Sequence, residues 1–234
     1  AGTYAREVLK FNSQHRMARM VLGLKAMREG KGEEARAHFK EAAYTPAGQL
    51  TSALLDAWSY AGDRNPVQAF ATLDQLDGND NFANFKSYHV ALIADQLGLT
   101  ARAEQAYRQA YGALPGSLRL VQAYGNFLMR QGKDAEALKI YGEFLGTADK
   151  NPLVLAAQAE AKAGAKPQPF TANAMDGAGE ALFSLASAFT GDQGLDMALA
   201  HTQLALSATP NSDVARTLLG DVYEDMQRYE DAVA

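Results

Sequence analysis

Histidine has the widest chemical range of any side chain near neutral pH, because it can bind a metal ion or carry a proton. The chain has four histidines, at positions 15, 38, 89 and 201. No two of them are four residues apart, and no His-Glu-x-x-His motif is present, so their spacing does not favour zinc. We interpret them as surface or packing residues and predict no metal site.

A second candidate is the run Asp77 to Asn81, Asp-Gly-Asn-Asp-Asn, whose alternating side-chain oxygens are typical of a calcium loop. A calcium loop requires glycine at its sixth position, where this sequence has Phe82. The same residues are also frequent in turns between helices. We therefore interpret this run as a turn that binds no ion.

Catalytic patterns are absent from the sequence. It contains no Ser-His-Asp spacing, phosphate-binding loop or nucleophile elbow, and it has no cysteine for thiol catalysis. The 22 basic and 27 acidic residues give a net charge of −5, which argues against nucleic acid as a partner. No run of 18 uncharged apolar residues could span a membrane. We predict no catalytic residue and no cofactor.

The elements that would position any site follow from a period of 34 residues. A small residue is followed by a large one four positions later and an apolar one three positions after that, which marks one face of a helix. This column reads Ala35-Phe39-Ala42, Ala69-Leu73-Leu76, Ala103-Tyr107-Ala110 and Ala137-Tyr141-Phe144.

A second column lies twelve residues before each alanine and contains only small residues, which would let two helices approach closely. Its members are Gly23, Ala57, Ala91 and Gly125. Between the two columns lie Gly30, Gly98 and Gly132, where a turn must separate the helices. Each period therefore predicts a first helix A, a turn and a second helix B.

These columns resemble the tetratricopeptide repeat family, with Leu-Gly, a turn glycine, Ala-x3-aromatic and a closing proline such as Pro115. The family's frequent tryptophan in helix A is replaced, at the matching positions, by Arg19, Ala53, Ser87 and Val121. The resemblance implies an all-α solenoid, in which antiparallel helix pairs stack into a right-handed superhelix and each unit packs on its neighbours.

The register divides the chain into four parts. Residues 1–15 are predicted to be helix B of a preceding repeat, and 16–151 four repeats. Residues 152–178 form an irregular unit, and 179–234 one full and one truncated repeat. Because the register begins and ends inside a helix B, we expect the sequence to be a piece of a longer protein.

The irregular unit should begin with a helix that starts after Asn151 and ends at Gly164. Pro167 and Pro169 then prevent a full second helix, and Gly177 and Gly179 should loosen the chain after them. Two interpretations are open: a degenerate repeat with a shortened helix, or a bend or binding loop.

The proline break and the Glu-Ala-Leu-Phe helix after it resemble the C-terminal part of a group of alphaproteobacterial tetratricopeptide proteins. That resemblance implies a bacterial source. It leaves the cytoplasm and the periplasm open, favours export, and supplies no catalytic residue.

In the resembled family, four positions of each helix A face a concave groove. The residues of this chain at those positions are mostly apolar in the first three repeats and polar in the fourth, where Arg119 and Arg130 could grip a carboxylate. The predicted partner-binding residues are Met17, Met20, Leu24, Met27, Leu54, Trp58, Phe85, Tyr88, Leu92, Arg119, Gln122, Asn126, Met129 and Arg130.

These residues predict a non-enzymatic interaction scaffold that binds an amphipathic helix or an extended peptide of a partner protein. The alternative is a structural, self-associating module whose groove is filled by the chain itself or by another copy. End-to-end association is a further expectation, because apolar residues lie near both ends of the chain. They are Val8, Leu9, Leu219, Tyr223 and Val233.

Overall fold

The computed structural model describes residues 2–78, 80–147, 150–189 and 194–232, without the side chains of residues 80 and 81. All regular elements over these ranges are α-helices, so the predicted all-α fold class is confirmed. In chain order they are α1 Gly2–Phe11, α2 Arg16–Arg28, α3 Gly32–Glu41, α4 Pro46–Gly62, α5 Pro66–Asp74, α6 Asp80–Gln96, α7 Thr100–Ala113, α8 Leu118–Arg130, α9 Asp134–Leu145, α10 Pro152–Lys162, α11 Ala174–Ala188, α12 Leu195–Ala208, α13 Asp213–Asp225 and α14 Tyr229–Ala232.

Consecutive helices form antiparallel pairs, as the tetratricopeptide-like register predicts. The pairs α2–α3, α4–α5, α6–α7, α8–α9 and α11–α12 each pack together. The alanine that opens each helix B column is fully buried, and so is the large residue four positions later. The 34-residue period therefore marks the contact between the two helices of a pair.

The column of small residues has a steric cause. A Cβ atom at Gly23 would lie 2.2 Å from the Phe39 ring, and one at Gly125 would lie 2.3 Å from the Tyr141 ring. In both repeats the aromatic residue of helix B lies directly on the backbone of helix A. Even the methyl group of an alanine at these two positions would therefore require the aromatic ring or the helix to shift.

The turns inside the pairs use a left-handed residue. Gly30, Gly98 and Gly132 have φ angles of 73°, 72° and 75°, which confirms their predicted place in the turns. The second repeat has Arg64 at this position, with a φ of 53°. A side chain in this conformation costs about 1 kcal/mol, so packing of the repeat holds the turn without glycine.

The chain forms two compact units, Ala1–Leu76 with Asn173–Ala234, and Asp77–Ala172. The first, which we call unit 1, contains α1–α5 and α11–α14. The second, unit 2, contains α6–α10 and the irregular stretch after α10. Within unit 1, α11 packs against α4, and α12 packs against α2. The expectation that each repeat packs only on its sequence neighbours is therefore wrong for unit 1.

The irregular unit begins as predicted. Asn151 caps α10 by accepting hydrogen bonds from the backbone N–H groups of Leu153 and Val154, at 3.1 and 3.2 Å. The helix ends at Lys162, and Gly164 turns the chain away with a φ of 66°. Residues 163–172, which we call the strap, contain no helix.

The next helix starts earlier than the sequence suggested. Asn173 caps α11 through the N–H groups of Met175 and Asp176, at 2.8 and 3.0 Å. Gly177 and Gly179 therefore lie inside a helix, and the prediction that they loosen the chain is wrong. Glycine has a low helix propensity, but the Asn173 cap and the close packing that these two glycines permit offset this cost. The predicted boundary after residue 178 falls within this helix.

Candidate functional site

The predicted groove residues of unit 1 lie under two helices of the same chain. Met20, Leu24, Leu54 and Trp58 are almost completely buried, whereas Met17 and Met27 are half-buried. The helices packed against α4 and α2 are α11 and α12. We call this surface the helix-covered face, and define it by these six residues.

Trp58 lies in close contact with the backbone of α11. A Cβ atom at Gly177 would lie 2.2 Å from the indole ring, so the ring lies against the backbone of α11. The exposed fraction of Trp58 is 0%. No partner can touch this side chain while α11 is in place, and Gly177 is required for that placement.

A buried histidine, His201, forms a polar contact between α12 and α4. His201 of α12 places Nε2 3.2 Å from the Thr51 hydroxyl of α4 and Nδ1 2.8 Å from the Met197 carbonyl. Burial lowers the pKa of His201; the hydrogen bond to the Met197 carbonyl acts in the opposite direction, and the nearby charge of Arg16 again lowers it. His201 is therefore neutral at pH 7 and belongs to the packing of unit 1.

In unit 2, the strap lies along α8 and contacts three of the predicted groove residues. Lys166 donates from Nζ to the Met129 carbonyl at 2.7 Å. Asn126 donates from Nδ2 to the Gln168 carbonyl at 2.9 Å. The Arg119 guanidinium lies 4.4 Å from the centre of the Phe170 ring. We call Arg119, Gln122, Asn126, Met129 and Arg130 the strap-covered face.

The amide of Asn126 is held in one orientation by its neighbours. Arg130 donates from Nε to the Asn126 Oδ1 at 3.0 Å, which leaves Nδ2 to face the strap. Arg130 also donates to the carboxylate of Asp95 in α6, which accepts from the Tyr107 hydroxyl at 3.4 Å. Burial raises the pKa of Asp95, although Arg130 and Tyr107 act in the opposite direction. The orientation of the Asn126 amide therefore depends on Arg130, which is itself held by a partly buried ion pair with Asp95.

The contacts of the strap are spaced as those of an extended segment would be. They run from Met129 to Arg119, ten residue steps along α8 or about 15 Å. The strap residues that make these contacts run from Lys166 to Phe170, which is four residue steps. A polyproline helix of that length would span about 12 Å. Contacts fall on alternate strap residues. Pro167 and Pro169 lie between them and have no N–H group that would need a partner.

The groove residues predicted on α6 are less accessible. Leu92 is completely buried and Tyr88 is buried beside His89, with ring centres 5.3 Å apart. Phe85 is half-buried. Leu92 and Tyr88 therefore belong to the core of unit 2, and the polar residues of α8 form its candidate site.

The polar residues of α8 were among the predicted groove residues, but the strap that lies on them was not predicted. The signal was present in Lys166, Pro167, Pro169 and Phe170, a stretch that cannot form a helix yet contains an aromatic residue. One of the two open interpretations was a binding loop. That the loop would lie on its own repeat could not be read from the period.

The residues expected to support end-to-end association are unevenly exposed. Val8 is 37% exposed on α1, whereas Leu9 packs partly against Ala5, Ala18 and Leu22. Leu219 and Tyr223 are half-buried, and Val233 lies outside the described residues. Self-association through the ends stays a prediction.

The acidic and histidine side chains are dispersed rather than clustered. Within the described ranges, no group of three or more His, Asp or Glu residues could hold a metal ion. Asp77, from the calcium-like run, accepts a hydrogen bond from Lys86 at 2.7 Å. Residue 79 and the side chains of 80 and 81 lie outside the described part. None of the described helices is both long and apolar enough to cross a membrane.

Comparison with known proteins gives likenesses of structure alone. No family model matches the chain, and no curated protein sequence matches it. MamA is 17% identical over 79% of this chain and 91% of its own, with a TM-score of 0.35. The Naa15/Naa10 complex bound to HypK contains a chain that is 18% identical; the match covers 99% of this chain and 32% of that one, with a TM-score of 0.35. The P58(IPK) TPR domain is 15% identical over 98% of this chain and 74% of that one, with a TM-score of 0.28.

These TM-scores are below 0.5, so the fold assignment depends on the helices of the chain itself. Paired helices, left-handed turn residues every 34 positions and the small-residue column make each unit tetratricopeptide-like.

Proposed function

We propose that the protein is a non-enzymatic interaction scaffold that binds an extended peptide of a partner protein on the strap-covered face of α8. The observation that carries this proposal is the hydrogen bond from Asn126 to the Gln168 carbonyl. It is the contact that an extended peptide would make, because every residue of such a peptide offers a carbonyl group.

The chemistry of this face suits peptide recognition. An oriented amide gives affinity for a main chain without requiring a particular side chain, whereas Arg119 adds a preference for an aromatic ring. Asn126 and Arg119 are only partly buried. Both can therefore exchange one extended segment for another without opening the core of unit 2.

A second role is supported for the helix-covered face. Trp58 is fully buried against Gly177 of α11, and Leu54 of the same helix α4 is also fully buried, which supports the alternative of a groove filled by the chain itself. In this interpretation unit 1 is a structural module whose apolar groove is part of its core. The partner-binding function is then confined to unit 2, and export of the protein stays a prediction.

The function can be tested with a displayed library of random linear peptides, selected on the immobilised protein. We expect enriched peptides whose binding is lost in Asn126→Ala and kept in Gln109→Ala, a control at an exposed position of α7. Peptides that bind Asn126→Ala as tightly as the unmodified protein would contradict the proposal, and so would the absence of any enriched peptide.

A further inference from the structure

We propose that the strap is an internal stand-in for the partner's segment. The partner peptide would then be extended, with a basic residue, prolines and an aromatic residue at the spacing of Lys166 to Phe170, and it would bind by displacing the strap. This inference rests on the proposed function and adds to it the kind of peptide and the competition with the strap.

Three contacts define the peptide. The Met129 carbonyl, near the end of α8, accepts from Lys166, and the Asp134 carboxylate lies 3.9 Å from the same ammonium group. This corner therefore favours a cation. Two residues along, Asn126 requires only a main-chain carbonyl. Two residues further, Arg119 favours an aromatic face.

Prolines suit the positions between these contacts. Residues 167 and 169 hold the segment near the polyproline conformation before it binds, which lowers the entropy lost on binding. A competing peptide that lacked prolines would lose more conformational entropy when it became ordered on α8. We therefore expect proline at one or both intervening positions of the partner.

The strap is attached to α8 weakly enough to be exchanged. Lys166, Gln168 and Pro169 are exposed, and Phe170 is half-buried. The ends are better held, by Gly164 closing α10 and by Thr171, which is 3% exposed. The middle of the strap can leave α8 while both of its ends stay in place.

Tethering makes the strap an effective competitor. A segment joined to its own site acts as if present at about millimolar concentration, even when each contact is weak. A free peptide with the same contacts should therefore bind poorly until the strap is weakened. This competition distinguishes a replaceable occupant from a fixed part of the fold.

The test uses a labelled synthetic peptide with the sequence of residues 163–172, and fluorescence anisotropy. Lys166→Ala/Phe170→Ala should bind this probe at least about tenfold more tightly than the unmodified protein, because the tethered competitor is weakened. Adding Asn126→Ala to that variant should abolish the gain. Lys139→Ala/Leu155→Ala truncates a matched pair of exposed side chains on α9 and α10 and should leave the affinity unchanged.

Displacement can be read directly, because the chain has no cysteine. An environment-sensitive dye on Gln168→Cys should change its emission when the probe is added, whereas the same dye on Gln109→Cys should not. A Lys166→Ala/Phe170→Ala variant that keeps its helical circular dichroism but binds the probe no better than the unmodified protein would overturn the strap proposal. If library peptides still bind through Asn126 in that case, the proposed function is kept and only the strap proposal is wrong. If neither the probe nor any library peptide binds, both are wrong.

Discussion

The two predicted groove surfaces are both occupied by the chain itself, but by different kinds of cover. The helix-covered face is closed by α11 and α12 through apolar contacts such as Trp58 on Gly177. The strap-covered face is closed by the strap through contacts that include hydrogen bonds to Asn126 and Met129 and a cation–π contact with Arg119. The difference is what we expect if the helix-covered face is part of a core and the strap-covered face is, as we propose, a binding surface.

The sizes of these contributions to stability support the distinction between the two faces. Burial of a large aromatic side chain removes about 200 Å² from water and contributes several kcal/mol, roughly 25 cal/mol per Å². A net hydrogen bond contributes about 1 kcal/mol, and a partly exposed cation–π contact about 0.5–1 kcal/mol. Removing α11 would therefore unfold unit 1, whereas lifting the strap costs an amount that a peptide can replace.

The largest expected effect is on the helix-covered face. Trp58→Ala should lower the free energy of unfolding of unit 1 by about 3–5 kcal/mol, because it leaves a cavity between α4 and α11. Urea denaturation followed by far-ultraviolet circular dichroism measures this loss. Tyr44→Ala, at a 60% exposed position, is the control and should change stability little. A Trp58→Ala loss under about 1 kcal/mol, well below the range for such a cavity, would show that α11 is not a structural cover.

The next effect concerns the support beneath the strap-covered face. Arg130→Ala should cost about 2 kcal/mol, because it leaves the carboxylate of Asp95 buried without its partner. Burial already raises the pKa of Asp95, so as the pH falls the folded protein takes up a proton there before the unfolded chain does, and the loss should shrink. Urea titrations at pH 7 and pH 5 provide the comparison. An equal loss at both values would contradict the role given to this pair.

A pH effect should mark unit 1. Since the folded pKa of His201 is below its ordinary 6.5, the unfolded chain binds a proton first as the pH falls. Stability should therefore fall as the pH drops below about 6.5. The pKa of Asp56, raised to about 7 mainly by burial, acts in the opposite direction between about pH 4 and 7. The informative quantity is thus the difference between the unmodified protein and His201→Gln.

We expect His201→Gln to lose less stability than the unmodified protein between pH 7.5 and pH 5.5, measured by urea denaturation at each pH. Parallel curves for the two proteins would show that His201 is not buried in a neutral state.

The smallest expected effect is on the strap. Phe170→Ala should lower the free energy of unfolding by about 1–2 kcal/mol, because it removes the contact with Arg119 and the half-buried part of the ring. Thermal melting of this variant beside Arg119→Ala and the double variant would give the coupling energy. Additive losses would mean that the two side chains do not interact in solution.

The sequence predicted the helices and their pairing well, because these depend on local periodicity. The turn at Gly30 and the need for a small residue at Gly23 follow from the repeated spacing within and between helix pairs. The covers could not be predicted in the same way. The return of α11 to α4, and the position of the strap on α8, depend on contacts between residues far apart in the sequence. Trp58 and Asn126 were both chosen as groove residues, but the period could not show what covers each.

The central claim, that one cover is structural and the other replaceable, can be tested in a single titration. Trp58 is the only tryptophan and lies under α11, so its fluorescence reports the helix cover. A dye on Gln168→Cys reports the strap in the same sample. On addition of urea, we predict that the dye signal changes at low concentration while Trp58 emission stays constant until unit 1 unfolds. A single transition in which both signals change together would contradict the account.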